Sequence, residues 1–278
     1  MTIIFYRILG NDIPIRHRAH QTLTNLPFIL RNESALPDCE KRFLLNRIVD
    51  AQVRRSLITA IEAAGLRWDE IAFDPAEFRA LPTHEDKALY LTNQNAARNR
   101  CVDLGLADAD VVLPFDGQVF FRREGWAAMM RGLQADPDAH YLTVPMLRVR
   151  ENHHATGAWN GSEDADHLWA EPQIAVRRGY DLRFNEQLSY GNANKIELLM
   201  KLGVKGPWDT WDSPVYRTIR TQIAAAPSPN FGRVRQAGFV FRLASGNWKA
   251  ERSTSIRVHS RRLGLEEFVL RIAREHAA

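Results

Sequence analysis

The stretch ADVVLPFDGQVFF, residues 109–121, restricts the fold more than any other part of the chain. An apolar run suited to a buried strand stops at one carboxylate, Asp116, passes through Gly117 and Gln118, and resumes with Val119, Phe120 and Phe121. An isolated charge is costly inside a core, so the acid marks the point where the strand reaches an edge. In open α/β sheets, ligands bind in the crevice beyond the carboxyl ends of the strands. The rest of the chain must therefore supply neighbours for this strand and a crevice at its end.

The neighbours are read from periodicity. TIIFYRIL, near the N-terminus, is a continuous β-branched and aromatic run, the pattern of a strand covered on both faces; it ends at the turn residues Gly10, Asn11 and Asp12. LPFILRNE, residues 26–33, reads as a second strand ending on Glu33. Between Glu40 and Ala64, apolar residues at Leu44, Leu45, Ile48, Val49, Val53, Leu57 and Ile61 predict an amphipathic helix stopped by Gly65. WDEIAFDP follows as a short strand. Thr83 with Asp86 makes a capping-box-like start to a helix running through Ala97, Cys101 and Leu104 to Gly105. Such alternation predicts right-handed crossovers and a parallel Rossmann-like sheet over residues 1–120.

Beyond it, YLTVPMLRV (141–149) and PQIAVRRG (172–179) read as strands, separated by a long polar segment that carries Trp159 and Trp169. Helices are expected over 192–202, 215–225 and 265–275. Nothing in the sequence resembles a linker, so one domain over residues 1–278 is expected, with a nucleotide-binding half (1–121) and an acceptor-binding half (122–278).

Composition narrows the function. A chain of 278 residues with 45% hydrophobic content can form a substantial core. It has no apolar run of membrane-spanning length, and Arg7 falls where a signal peptide would be apolar, so a cytoplasmic protein is expected. Cys39 and Cys101 form neither a disulfide framework nor a CxxC metal signature. The net charge of +4 rests on arginine, a good fork for phosphate. Basic residues are spread along the chain, with no nucleic-acid-binding tail, and nucleic acid is not an expected partner.

NQNAARNRCVDLGLADADVVLPFDGQVFF, residues 93–121, resembles the central signature of the GT-A-fold nucleotide-sugar glycosyltransferases of the family-two type. There a helix of the form xxARNxxxxxG leads into a hydrophobic strand ending in a metal-binding DxD motif. YGNANKIELLMKLG, residues 190–203, is compatible with the same family. The resemblance implies an α/β GT-A fold with a mostly parallel central sheet and transfer of a hexose from a nucleotide-diphosphate sugar to a saccharide or lipid-linked acceptor, as in polysaccharide biosynthesis. It also implies a divalent ion, Mn²⁺ or Mg²⁺, at Asp116, and the lack of a membrane-length apolar run leaves at most peripheral membrane association as the expectation. That ion would offset charge on the departing diphosphate. Gln118 stands where the second acid of DxD would be, so the resemblance makes His259 the candidate that completes the metal site. Gly117 would let the pyrophosphate approach the backbone.

By the same resemblance Arg7, Asn11, Glu33, Arg98, Asn99 and Gln118 are candidate nucleotide contacts, and Lys195 a phosphate contact. Asn194 and Lys195 replace the acids of the EDxEL pattern that supplies the base in inverting members. Glu171, Glu186 and Asp209 are the candidate catalytic acids, Glu171 foremost, while Glu197 is expected to be a solvated helix residue. Trp159, Trp169, Trp208 and Trp211 are candidates for stacking on sugar rings.

Two other readings stay open. His153, His154, Asp164, Asp166 and His167 are residue types that suit a metal-dependent hydrolase or phosphotransferase, although no HExxH spacing is present. Arginines interleaved with tryptophans also permit a non-enzymatic carbohydrate- or nucleic-acid-binding module. The amphipathic segment LGLEEFVLRIAREH, residues 263–276, can pack on the domain or rest on a bilayer.

Overall fold

The computed structural model describes residues 1–157, 170–180, 183–188, 195–225, 232–247 and 254–276. The described strands are β1 (Ile3–Leu9), β2 (Cys39–Asn46), β3 (Arg67–Ile71), β4 (Val111–Asp116), β5 (Val119–Phe120), β6 (Tyr141–Arg148), β7 (Ala170–Arg177), β8 (Val234–Gln236) and β9 (Val240–Arg242). The helices are α1 (Gln21–Asn32), α2 (Ala51–Ala63), α3 (Pro75–Ala80), α4 (His84–Thr92), α5 (Gln94–Asp108), α6 (Arg123–Ala135), α7 (Ile196–Lys201), α8 (Pro214–Ala225) and α9 (Thr254–Glu275). One mixed, mostly parallel sheet runs in the order β3-β2-β1-β4-β7-β6-β9-β5, with β8 against β6. Among the described residues no helix is long and apolar enough to cross a membrane.

Register brings the functional edge together. β1 and β4 run parallel with Ile8 opposite Asp116, and β2 runs parallel to β1 with Leu45 opposite Leu9. β7 enters antiparallel, pairing its far end, Val176 and Arg177, with Val112 and Val111. Its first residues, Glu171 to Gln173, therefore lie toward the carboxyl end of β4. β6 is antiparallel to β7 and parallel to β9, with Arg148 opposite Arg242. One edge of the sheet thus collects the carboxyl ends of β1, β4, β6 and β9 and the amino end of β7.

Two expected elements differ in type. Residues 26–33 lie in or cap helix α1 rather than forming a strand: Asn25, Leu26 and Ile29 are buried at helical spacing, and the Pro27 ring, which can donate no hydrogen bond, is carried within it. The expected helix over 40–64 is a strand followed by a helix. Phe43, Leu44 and Leu45 are a consecutive buried run in β2, and α2 begins only after Asp50, whose carboxylate caps it by accepting from the Gln52 and Val53 N–H groups.

The expected cap at Thr83 is present: its Oγ1 accepts from the Asp86 N–H at 3.0 Å. The helix it opens is broken at Asn93, which caps α5 by accepting from the Ala96 N–H. Gly105 does not stop α5, which continues to Asp108. A Cβ there would lie 2.5 Å from the Val112 side chain, so glycine permits the close approach of α5 to β4. α9 begins earlier than the expected residue 265, and Phe268, Val269 and Ile272 on it are buried with Ile13, Phe78 and Leu91. The 263–276 segment therefore packs on the domain. β6, β7 and α8 fall where periodicity places them.

Candidate active site

A cavity of about 780 Å³ opens at the collected sheet edge. Asp116 reaches it from the end of β4, Gly10 and Asn11 from the end of β1, Arg148 from β6, Glu171 from β7 and Arg242 from β9. Lys195 at the start of α7, the Trp211–Tyr216 segment leading into α8, and Arg261 on α9 close the other side. Its size suits a small-molecule ligand with a few converging polar groups.

Asp116 is the hub. Its Oδ1 accepts from the Arg98 guanidinium at 2.6 Å, and its Oδ2 accepts from the Lys195 ammonium at 3.2 Å and the Gln173 amide at 3.0 Å. Gln173 also accepts from the Asp116 backbone N–H at 3.3 Å, so one side chain grips the strand end twice. Burial alone would raise the Asp116 pKa, but Lys195 and Arg98 prevail and hold the carboxyl well below its usual range. Lys195, 3% exposed, has its own pKa lowered by burial, with Asp116 opposing the shift. Its ammonium also donates to the Glu171 carbonyl at 3.4 Å. Burial would likewise raise the Glu171 pKa; Lys195, Arg261 and Arg148 outweigh it and keep that carboxyl ionised.

Other side chains fix the frame. Asn11 ties the β1 loop to its neighbour, donating to the Arg47 carbonyl at 2.7 Å and accepting from the Val49 N–H at 3.0 Å. Asp12 accepts from the Thr22 N–H and hydroxyl, and burial raises its pKa despite those bonds. A Cβ on Gly117 would lie 2.4 Å from the Ile8 carbonyl oxygen, so glycine there is demanded by the packing of the strand ends. Gln118 lines the cavity with a buried Oε1 that accepts no hydrogen bond among the described residues.

Of the expected site residues, Asn11, Arg98, Asp116, Gly117, Gln118, Glu171 and Lys195 converge on this cavity. Arg7 and Glu33 do not line it. They form a buried ion pair at 2.7 Å, in which Glu33 also accepts from the Phe121 N–H and pairs with Lys41 at 3.0 Å. Asn99 is spent on the 183–188 segment, donating to the Phe184 carbonyl and Glu186 and accepting from the Phe184 N–H. Glu186 is exposed at the far end of that contact. Asp209 is exposed and accepts from the Gly206 N–H. Glu197 is buried rather than solvated and pairs with Lys201. Trp208 is a core residue donating to the Val204 carbonyl, whereas Trp211 lines the cavity beside Tyr216. Trp159, Trp169, Asp164, Asp166, His167 and Asn194 lie outside the described residues. His153 and His154 are exposed on a 3-10 turn.

The residues around Asp116 fit a divalent ion poorly. Both carboxylate oxygens already accept from cationic or amide donors, the position two residues on is a neutral amide, and His259 is exposed and does not line the cavity. Among the described residues no group of three or more His, Cys, Asp and Glu side chains is placed to hold a metal ion. Such ions take several oxygen ligands, commonly one or two carboxylates beside water and substrate phosphates.

Sequence reasoning missed Gln173, Arg148, Arg242 and Arg261. Gln173 carried a usable signal as the lone polar residue inside the run PQIAV. The arginines carried none, because they meet only through the antiparallel entry of β7 and the packing of α9.

No family model matches the chain, and no curated protein matches it. Its fold is similar to solved glycosyltransferases at low identity. The residue 1–349 portion of Staphylococcus aureus TarS in complex with UDP is 13% identical, with a TM-score of 0.43, over 72% of this chain and 54% of that one. The UDP-GlcNAc complex of the same protein is 13% identical, with a TM-score of 0.39, over 68% of this chain and 50% of that one. The mannosyltransferase PcManGT from Pyrobaculum calidifontis, in complex with GDP-Man and Mn²⁺, is 13% identical, with a TM-score of 0.42, over 99% of this chain and 73% of that one. The chain thus spans about half the length of the TarS structures.

Proposed function

We propose that the protein is a glycosyltransferase that moves a sugar from a nucleoside-diphosphate sugar to a hydroxyl acceptor. One observation carries the reading: the acid at the end of the central strand sits among basic side chains in a cavity of nucleotide size, at the sheet edge where α/β folds bind nucleotides. In the reaction the acceptor oxygen attacks the anomeric carbon, the bond from that carbon to the phosphate oxygen breaks, and the electron pair leaves with the diphosphate. The residues facing that developing charge are Lys195, Arg98, Arg242 and Arg148. Glu171, ionised and on the cavity wall, is the group that takes the acceptor proton. Trp211 and Tyr216 offer aromatic faces for a sugar ring.

The test is a panel of UDP-, GDP-, ADP- and dTDP-sugars in thermal-shift and donor-turnover assays. One nucleotide should raise the melting temperature and be consumed, and Glu171→Gln should lower turnover by about 10²–10⁴-fold while leaving that thermal shift in place. The reading fails if no donor in the panel either stabilises the protein or is consumed.

A further inference from the structure

Resting on the glycosyltransferase reading, we propose that the Lys195 ammonium stands in for the divalent ion at Asp116, so that the donor diphosphate is bound without metal. The geometry is that of an occupied cation site. Asp116 Oδ2, the oxygen turned to Lys195, accepts from that ammonium at 3.2 Å and from Gln173 at 3.0 Å, while Arg98 holds Oδ1 at 2.6 Å. An ion entering here would have to displace two tethered charges from a carboxylate they already neutralise.

Lys195 is also built to face outward from that acid. Two of its three protons go to Asp116 and the Glu171 carbonyl. The third has no acceptor among the described residues, and Lys195 lines the cavity. A lysine buried to this depth retains its charge where anions surround it, and a diphosphate adds such charge on the open side.

The balance of the cavity agrees. Its described lining carries six basic side chains, Arg16, Arg98, Arg148, Lys195, Arg242 and Arg261, and four carboxylates, Asp12, Asp116, Glu171 and Asp212. Basic side chains thus outnumber carboxylates in the described lining, which suits an anionic ligand. Asp116 then acts as a positioning residue that holds Lys195 and Arg98, and Lys195 is the group that touches the phosphate.

Calorimetric titration with UDP, GDP and inorganic pyrophosphate decides the matter, run once in excess EDTA and once in excess Mn²⁺. At least one of these probes should bind equally well in the two buffers. Lys195→Met should weaken that binding by about 10–100-fold in EDTA, the weight of one charge-assisted hydrogen bond, and Lys195→Arg should restore most of it. Circular dichroism of both variants, with the Arg variant as the internal control, separates lost binding from lost folding. Binding that appears in Mn²⁺ and vanishes in EDTA overturns the role of Lys195 while leaving the transferase reading intact. Wild-type binding that survives Lys195→Met unchanged also overturns it. Failure of every probe in both buffers overturns the role of Lys195, and the donor panel then decides the transferase reading on its own.

Discussion

Glu33 and Asp116 are built alike, each a carboxylate held between one arginine and one lysine. Glu33 lies 2.7 Å from Arg7 and 3.0 Å from Lys41; Asp116 lies 2.6 Å from Arg98 and 3.2 Å from Lys195. They differ in what lies on the open side. The Glu33 side chain is 2% exposed and sealed by the Phe121 N–H, with the Val119 carbonyl accepting from Arg7 beside it. Asp116 is 26% exposed and borders the cavity. A sealed acid can only organise structure, because desolvation consumes most of its Coulombic gain and no ligand can reach the carboxylate. An open triad keeps the same charges poised for a ligand. Residue type does not distinguish the two sites, but access to solvent does.

The largest expected effect tests the sealed site. Glu33→Gln leaves the Arg7 guanidinium without its carboxylate in the core, and such uncompensated buried charges typically cost about 3–5 kcal/mol. Chemical denaturation should show a loss of that size with the pyrophosphate affinity of the folded fraction unchanged. A stable variant with lost ligand binding would move Glu33 back to the nucleotide and dissolve the contrast.

Asp116→Asn comes second. The carboxylate itself is 26% exposed and borders the cavity, so the expected loss is about 1–3 kcal/mol at neutral pH. The pH dependence has a definite sign. The folded carboxyl titrates well below its ordinary value, so its contribution is present above the unfolded pKa of about 3.9 and disappears as pH falls through the folded value. Urea unfolding at neutral pH and again near pH 3 should show the gap between wild type and Asp116→Asn shrinking on acidification. A gap that widens in acid would contradict the ion-pair account of this site.

How much of this could be read in the sequence depends on the range of the interaction that decides it. β1 and β4 were legible because a strand covered on both faces is apolar residue after residue, and the Thr83 cap was legible because its partner is three residues away. Asp116, Lys195 and Glu171 were legible as chemistry, and the fold brings them together. α1 escapes the sequence pattern because Leu26–Leu30 is apolar enough for a buried strand, and only the faces presented to neighbours reveal a helix. Leu44, Leu45, Ile48 and Val49 satisfy a helical spacing by coincidence across β2 and the turn after it, and the cap at Asp50 marks where the helix truly begins. The resemblance makes Glu33 a nucleotide contact, whereas its partner in the fold, Arg7, lies 26 residues earlier on β1, out of reach of any local pattern. The long-range arginines of the cavity had no local pattern at all.

The finest test compares the two lysines. Lys41 is 20% exposed and is the second cation on Glu33, whose other oxygen keeps Arg7 and the Phe121 N–H. Removing it leaves no charge stranded, so Lys41→Met should cost about 0.5–1 kcal/mol, near the value of a partly exposed pair. The same change at Lys195 removes a donor that nothing else replaces on Asp116 Oδ2 except a neutral amide. Measured side by side, Lys41→Met should shift the unfolding midpoint slightly and leave pyrophosphate binding alone, whereas Lys195→Met should register in the binding isotherm. If Lys41→Met weakened pyrophosphate binding as much as Lys195→Met does, the sealed triad would have to communicate with the cavity, and access to solvent would no longer be what separates the two acids.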